Sequence, residues 1–290
     1  MNNPQFRPPA EAASLILQID EGCPYNACAF CGMYRGLAFR RRPLAEIREL
    51  VEDEARAWPD ASRVFLADGD VMSRPFEEVA EILRILRRNL PGLARVNAYA
   101  TGSGILDKSP AELAQLRSLK LQTLYMGLES GDEATLRRMR KAETAEQMVE
   151  AGCRAQAGGL RMSVMVLLGL GGADRSSEHA DQTAAALNRM QPRLLSMLRV
   201  VPVPGTTLYR DAEAGRFREV TEHGIVEELR RIVAGLALAN TVFRSNHVSN
   251  VVPLEGRLPK DKTRLLAELD AQLALGNLDR ETPGPQPLWL

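Results

Sequence analysis

Six short β-rich runs that alternate with stretches of helical periodicity constrain this 290-residue chain more than any other feature. The runs are Leu15 to Asp20, Val64 to Ala67, Arg95 to Thr101, Thr123 to Leu128, Met162 to Leu168 and Leu194 to Val201. Val64 to Ala67 is continuously apolar, the pattern of a strand buried on both faces. Leu44 to Trp58 carries Leu44, Ile47, Leu50, Val51 and Ala55 at helical spacing. Phe76 to Leu90, Pro110 to Leu119, Asp132 to Arg140, Ala145 to Ala157 and Ser176 to Met190 also read as helices, with Ser109 as an N-cap. Strands that alternate with helices predict an α/β chain with a parallel sheet and outer helices, which right-handed crossovers wrap into an open, partial barrel.

Beyond Thr206 the alternation stops. Glu222 to Ala239 and Lys260 to Leu275 read as helices, Val242 and Phe243 as a short edge strand, and the proline-bearing tail from Thr282 as poorly ordered. The expected organisation is a core over residues 1–206 and a short α-rich C-terminal extension over 207–290, packed together as one domain. A hydrophobic content of 45% supplies a large core. Lys plus Arg and Asp plus Glu are each 37, so no global field favours a polyanion and nucleic acid is not the expected partner. The basic run Arg40-Arg41-Arg42 reads as solvated surface, with a phosphate contact as the alternative. The N-terminus has no apolar signal region, and the longest apolar stretch, Val164 to Leu170, is far short of the ~20 residues of a membrane span. These features predict a soluble, cytoplasmic protein.

Three of the four cysteines, Cys23, Cys28 and Cys31, lie in one loop directly after the first strand. Such clustering in a cytosolic chain reads as metal binding, not as a disulfide framework. Ligands in that loop face the mouth of a parallel barrel. Three thiolates can hold three corners of a [4Fe–4S] cluster, leaving one iron open to a small molecule. The competing reading is a zinc site in an α/β binding or scaffold protein, completed by water or by His179, His223 or His247. Cys153, flanked by small residues in a helix, reads as a buried packing thiol.

The cysteine loop, its place after strand one and the five strands behind it resemble the core of the radical S-adenosylmethionine (SAM) superfamily, a partial (β/α)6 barrel. The likeness runs from Leu15 to about Gly205. The usual spacing has three residues between the first two cysteines, whereas this chain has four, C-x4-C-x2-C. The resemblance implies a [4Fe–4S] cluster on Cys23, Cys28 and Cys31 and SAM as the second cofactor. It implies reductive cleavage of SAM to a 5′-deoxyadenosyl radical that abstracts hydrogen from a small-molecule substrate. A low-potential electron donor such as flavodoxin or ferredoxin is the implied partner.

Further positions match one at a time. Asp68-Gly69-Asp70, after strand two, stands where members carry a glycine-rich turn that receives the SAM amino group. Gly127-Leu128-Glu129-Ser130 is similar to the segment whose carboxylate accepts from the ribose, with capping of the next helix by Ser130 or Asp132 as the plainer reading. Val164 to Gly172 resembles the adenine platform, Pro202 to Thr206 the turn after strand six, and Phe30 the aromatic that borders adenine. Asn97, Tyr99 and Thr101 alternate along strand three and share a face that lines the barrel if it points inward. In the extension, Arg244, Asn246 and His247 form a polar run between apolar pairs, which makes Arg244 and His247, with Tyr99, the candidates for substrate chemistry. Only Cys153 remains outside the triad, and the core begins near Leu15, so a single-cluster enzyme without an N-terminal cobalamin-type domain is expected. An RNA-modifying member would need a basic appended module, which this sequence does not display.

Overall fold

The computed structural model describes residues 6–279. Along the chain it forms β1 (Leu15–Gln18), β2 (Asp20–Glu21), β3 (Arg40–Arg41), α1 (Leu44–Ala57), β4 (Arg63–Ala67), α2 (Phe76–Asn89), β5 (Arg95–Tyr99), α3 (Gly102–Leu106) and α4 (Pro110–Ser118). There follow β6 (Leu121–Glu129), α5 (Glu133–Arg138), α6 (Ala145–Ala157), β7 (Arg161–Leu168), α7 (Ser176–Met190), β8 (Leu194–Arg199) and α8 (Thr207–Glu213). The chain ends in α9 (Glu222–Gly235), β9 (Thr241–Ser245), β10 (Leu254–Leu258) and α10 (Lys262–Ala274). All six predicted strands and all predicted helices are present. The tail from Thr282 lies outside the described residues. No helix among the described residues is long and apolar enough to cross a membrane.

Contacts divide the chain into two compact units. One comprises Met1–Asn26, Met33–Met126 and Glu150–Met162, the other Ala27–Gly32, Gly127–Val149 and Ser163–Leu290.

In the first unit β1, β4, β5 and β6 are neighbours in that order, all parallel, with Gln18 beside Ala67, Leu66 beside Ala98 and Tyr99 beside Tyr125. Parallel register brings the loops at the C-terminal ends of these strands together. Phe65, Tyr99 and Tyr125 stack edge to face, with centroids 4.9 to 6.3 Å apart. Sequence reading gave no sign of Glu11, which ends a short 3-10 helix and is 2% exposed. Its Oε1 accepts from Asn97 Nδ2 (2.8 Å) and Tyr125 Oη (2.5 Å).

Strand β1 stops at Gln18 because the next residues pair elsewhere: Asp20 and Glu21 lie antiparallel to Arg41 and Arg40. The basic run therefore closes the base of the cysteine loop, with Arg40 paired to Glu21 and Glu46 and Arg42 paired to Glu21.

In the second unit β7, β8 and β9 are parallel and β10 returns antiparallel to β9. Val242 and Phe243 thus belong to an interior strand, and the expected edge is taken by β10, whose polar alternation Leu254-Glu255-Gly256-Arg257-Leu258 carries little strand signal. Cys153 is exposed, correcting the buried reading: it shares the outward face of α6 with Glu150, while Ala151, Gly152 and Ala155 are buried.

The buried ion pair of the first unit is Arg74 with Asp20. Arg74 is 1% exposed; its Nε and Nη2 donate to the two Asp20 oxygens at 3.1 and 2.6 Å. Nη2 also reaches the carbonyls of Ile19 and Arg42, and Nη1 reaches Glu78. This fork ties the chain just before the cysteine loop to the segment after β4. Arg74→Ala should lower the unfolding free energy by about 3–5 kcal/mol, because it strands a buried carboxylate. Arg74→Lys should recover little of it, since an ammonium cannot supply the planar fork. Denaturant unfolding measures both, and a loss below about 1 kcal/mol in Arg74→Ala would show that the pair does not hold the loop base.

Candidate active site

In the first unit the turn after β4 is built against the first cysteine. A Cβ on Gly69 would lie 2.5 Å from Cys23 Cα, so only glycine fits, and Gly69 N–H donates to Gly22 O (3.1 Å). Asp68, just before it, sits at φ +76°, a conformation unusual for a residue with a side chain. The residue is 1% exposed; Oδ1 accepts from Gln18 Nε2 (3.4 Å), and the buried Oδ2 has no hydrogen-bond partner. Burial pushes the Asp68 carboxyl up to about 6. The buried Tyr34 hydroxyl faces this carboxylate closely enough for each to perturb the other, yet short of hydrogen-bond geometry.

Asp70 behaves differently from Asp68. Its Oδ1 accepts from Thr101 N (3.1 Å) and its Oδ2 from Thr101 Oγ1 (2.5 Å), which links the turn to the N-cap of α3. Of the three alternating residues on β5 and its end, Asn97 is spent on Glu11 and on Thr123 N–H, and Thr101 on Asp70. Tyr99 stays in the aromatic stack, its phenol raised by burial. Asn26, in the cysteine loop at φ +41°, donates from Nδ2 to the carbonyls of Tyr34 (2.8 Å) and Leu37 (3.3 Å).

In the second unit the Cys28–Cys31 turn is pinned at Ala29, whose N–H donates to Met139 O (2.8 Å) and whose carbonyl accepts from Leu208 N (2.9 Å). Cys31 N–H closes the turn on Cys28 O (3.3 Å). Gly32 leaves room for Val203, in the turn after β8. Phe30 packs on the core of Ala29, Met139, Leu170, Val200, Leu208 and Phe217.

Glu129 ends β6 at φ +62° and its carboxylate folds back over Gly127, where a Cβ would collide with it. It is mostly buried, and burial raises its carboxyl against the pull of Lys141 Nζ, 3.9 Å away. Ser130 is engaged inward: its Oγ lies 2.7 Å from His179 Nδ1 and accepts from Asp132 N–H (2.9 Å). Asp132, not Ser130, caps α5, and it also takes the two-pronged Arg175 (2.8 and 2.9 Å).

Arg244 lies within β9, opposite Glu255, not in the loop. The loop after β9 sits at the C-terminal end of β8, where Asn250 Oδ1 accepts from Arg199 N–H (2.7 Å). His247 Nδ1 there lies 2.8 Å from Ser249 Oγ, and Asn246 donates to Glu255 (3.3 Å). Sequence reading passed over Tyr34 and Lys141; the signal for Tyr34 was its position three residues after Cys31.

These residues fit an iron–sulfur cluster with SAM. Cys23, Cys28 and Cys31 are each partly accessible. Beside the first, a buried carboxylate keeps an unused acceptor, which an ammonium group would satisfy. Two acids with left-handed backbone, Asp68 and Glu129, end strands β4 and β6, and strain of this kind gathers at functional sites. Among the described residues no three His, Cys, Asp or Glu side chains converge on one ion. The thiolates of a cubane bind different irons and need no such point.

Comparison with known proteins agrees. The Radical SAM superfamily model matches residues 17–182, more than half of the chain. Methylornithine synthase (PylB) superposes with a TM-score of 0.53 at 19% identity, over 89% of this chain and 81% of that one. Coproporphyrinogen III oxidase (HemN) from Escherichia coli, described as a radical SAM enzyme, gives 0.53 at 15% identity, over 91% of this chain and 52% of that one. The methyltransferase TsrM from Kitasatospora setae gives 0.54 at 15% identity, over 83% and 43%. The chain thus spans about half the length of the latter two. A search of curated proteins by sequence found no significant match. At these identities the superpositions establish the fold, α/β with an open, partial barrel of parallel strands, and the family model establishes the lineage. The chain belongs to the radical SAM superfamily and is an enzyme whose cofactors are a [4Fe–4S] cluster and S-adenosylmethionine.

Proposed function

We propose that Cys23, Cys28 and Cys31 hold the cluster, and that the enzyme generates a radical that takes a hydrogen atom from a small-molecule substrate. The carrying observation is the turn at Asp68-Gly69, moulded against Cys23 and bearing a buried carboxylate oxygen with no partner. When bound, the cluster and SAM together supply an electron transfer that splits SAM into methionine and a 5′-deoxyadenosyl radical.

The chain's own task is to bind, orient and keep water out. Asp68 accepts from the SAM ammonium, with Tyr34 as a neighbouring donor. Glu129 accepts from ribose hydroxyls, held over Gly127 and countered by Lys141. Phe30 and the β7 turn at Leu168 to Gly172 offer apolar surface to the adenine. Asp70 serves the turn by holding Thr101 and is assigned no contact with SAM. The loop after β9, with His247 and neighbouring Arg244, is proposed to face substrate, because it lies at the C-terminal end of β8. A low-potential flavodoxin or ferredoxin is the proposed electron source, and the cytoplasm, which keeps thiols reduced, is the proposed compartment.

Two outcomes test this assignment. After anaerobic reconstitution, Cys23→Ala, Cys28→Ala and Cys31→Ala should each lose the broad ~400 nm band and the bound iron, while Cys153→Ala keeps both. A triad variant with full iron content, or loss in Cys153→Ala, contradicts the ligand set. Asp68→Ala and Glu129→Ala should keep their iron and bind SAM about tenfold more weakly, the effect of removing one charged hydrogen-bond partner. Equilibrium dialysis reads this directly, and wild-type affinity in both variants removes the proposed SAM contacts. Asp70→Ala should act mainly on thermal stability.

A further inference from the structure

Glu228 is a carboxylate that the proposed chemistry does not use, yet it is 2% exposed on α9, in the segment beyond the barrel strands. Its Oε1 accepts from the backbone N–H of Gly169 (2.6 Å), the first residue after β7. Its Oε2 accepts from Ser176 Oγ on α7. Oε1 also lies 3.4 Å from His179 Nε2. His179 is fully buried, and its other nitrogen, Nδ1, meets Ser130 Oγ at 2.7 Å. Buried polar groups therefore lie in series from Gly169 and Glu228 to His179 and Ser130, the neighbour of Glu129; Gly169–Glu228 and His179–Ser130 are hydrogen-bonded, whereas His179 Nε2 approaches Glu228 without a hydrogen bond.

Among the described residues no Lys or Arg pairs with Glu228. The arginines on its own helix are paired elsewhere, Arg230 with Asp270 on α10 and Arg231 with Asp181 on α7. Arg175 is taken by Asp132. Burial keeps His179 neutral, down at about 4, and pushes Glu228 up to about 7. Burying a carboxylate on dipoles alone costs free energy. Leucine at this position would pack on the same core without that cost. What the carboxylate adds is a fixed acceptor for one turn and a polar contact beneath the imidazole that bonds the other. Both turns are glycine-rich and would otherwise be loose: Gly169 sits at φ +79°, and Gly127 and Gly131 flank Glu129 and Ser130.

We propose that Glu228 is a positioning residue for SAM, which holds the β7 turn in its binding geometry through the hydrogen bond from Gly169 and, by its 3.4 Å contact with His179, backs the imidazole that meets Ser130 in the other nucleoside-facing turn. The inference rests on the assignment of Glu129 and the β7 turn to SAM. It gives the C-terminal segment a role in cofactor binding as well as in substrate contact. Glutamine can replace the carboxylate: its carbonyl oxygen accepts from Gly169 and its amide donates to Ser176 or His179. Leucine cannot.

The test compares SAM affinity of reconstituted protein at matched iron content and matched thermal midpoint, with hydrogen–deuterium exchange of the SAM-free protein as an independent reading. Glu228→Leu should weaken SAM binding about tenfold and speed exchange over residues 168–172 and 127–132, whereas Glu228→Gln should stay within about threefold of wild type. Ser176→Ala, which removes one donor to the carboxylate and leaves the packing intact, should weaken binding about threefold and decides the question if Glu228→Leu does not fold. Weakened binding in Glu129→Ala with wild-type affinity in Glu228→Leu, or in Ser176→Ala if Leu fails to fold, overturns this inference alone. Wild-type affinity in all of these variants overturns it together with the SAM assignment. Equal weakening in Glu228→Gln and Glu228→Leu also overturns it, because the hydrogen bonds would then not be the cause.

Discussion

The approach of Gly69 to Cys23 is the constraint on which the proposed site depends. Any Cβ on Gly69 would stand 2.5 Å from Cys23 Cα, so the second-strand turn has to carry glycine, and the chain has to bend sharply on either side. The bend puts Asp68 in the left-handed region and turns its carboxylate into the buried interior, where one oxygen has no protein partner. On the other side it delivers Asp70 to Thr101, so the end of the third barrel strand is fixed by the same turn. The buried Arg74–Asp20 fork and the Asp20–Arg41 pairing hold the base of the cysteine loop, and so keep Cys23 where Gly69 meets it. One backbone contact thus sets both where a proposed cluster ligand stands and where a buried acceptor without a protein partner remains.

The second unit solves the same problem in its own way. Ala29 is held from both sides by backbone hydrogen bonds, which fixes the Cys28–Cys31 turn without using a cysteine side chain. Glu129 is kept over Gly127 by the absence of a Cβ, and Lys141 stands near enough to temper the cost of burying it. Behind it, Ser130 meets His179, and Glu228 lies 3.4 Å beyond the imidazole, polar groups inside an otherwise apolar core. In both units glycine marks a place where two functional elements nearly touch, and polar groups around it define the geometry.

The barrel strands were legible in the sequence because short runs of strand-forming residues, continuously apolar at Val64 to Ala67, alternate with helices whose single buried stripe separates them clearly. The cysteine loop stood out because three thiols lie within nine residues directly after the first strand, a pattern that suits metal binding. What stayed hidden is long-range. Glu11 reaches Asn97 and Tyr125 from the far end of the chain, and nothing near it announces a buried carboxylate. Glu228 looks like one more charge in the run Glu227-Glu228, and only the fold shows that the second of them points inward. Asp68 and Asp70 are equivalent in sequence, yet the structure spends one on Thr101 and leaves an oxygen of the other unpaired. Cys153 misled because small neighbours suggest burial, whereas the helix turns those neighbours inward and the thiol outward.

The central claim is that this chain performs radical SAM chemistry at the loop of Cys23, Cys28 and Cys31. The most direct measurement is the yield of 5′-deoxyadenosine from anaerobically reconstituted protein supplied with SAM and dithionite, with Cys28→Ser treated identically. The account predicts 5′-deoxyadenosine and methionine in equal amounts from the wild type and neither from Cys28→Ser. Equal yields from the two proteins, or none from a wild type carrying its full complement of iron, would contradict it.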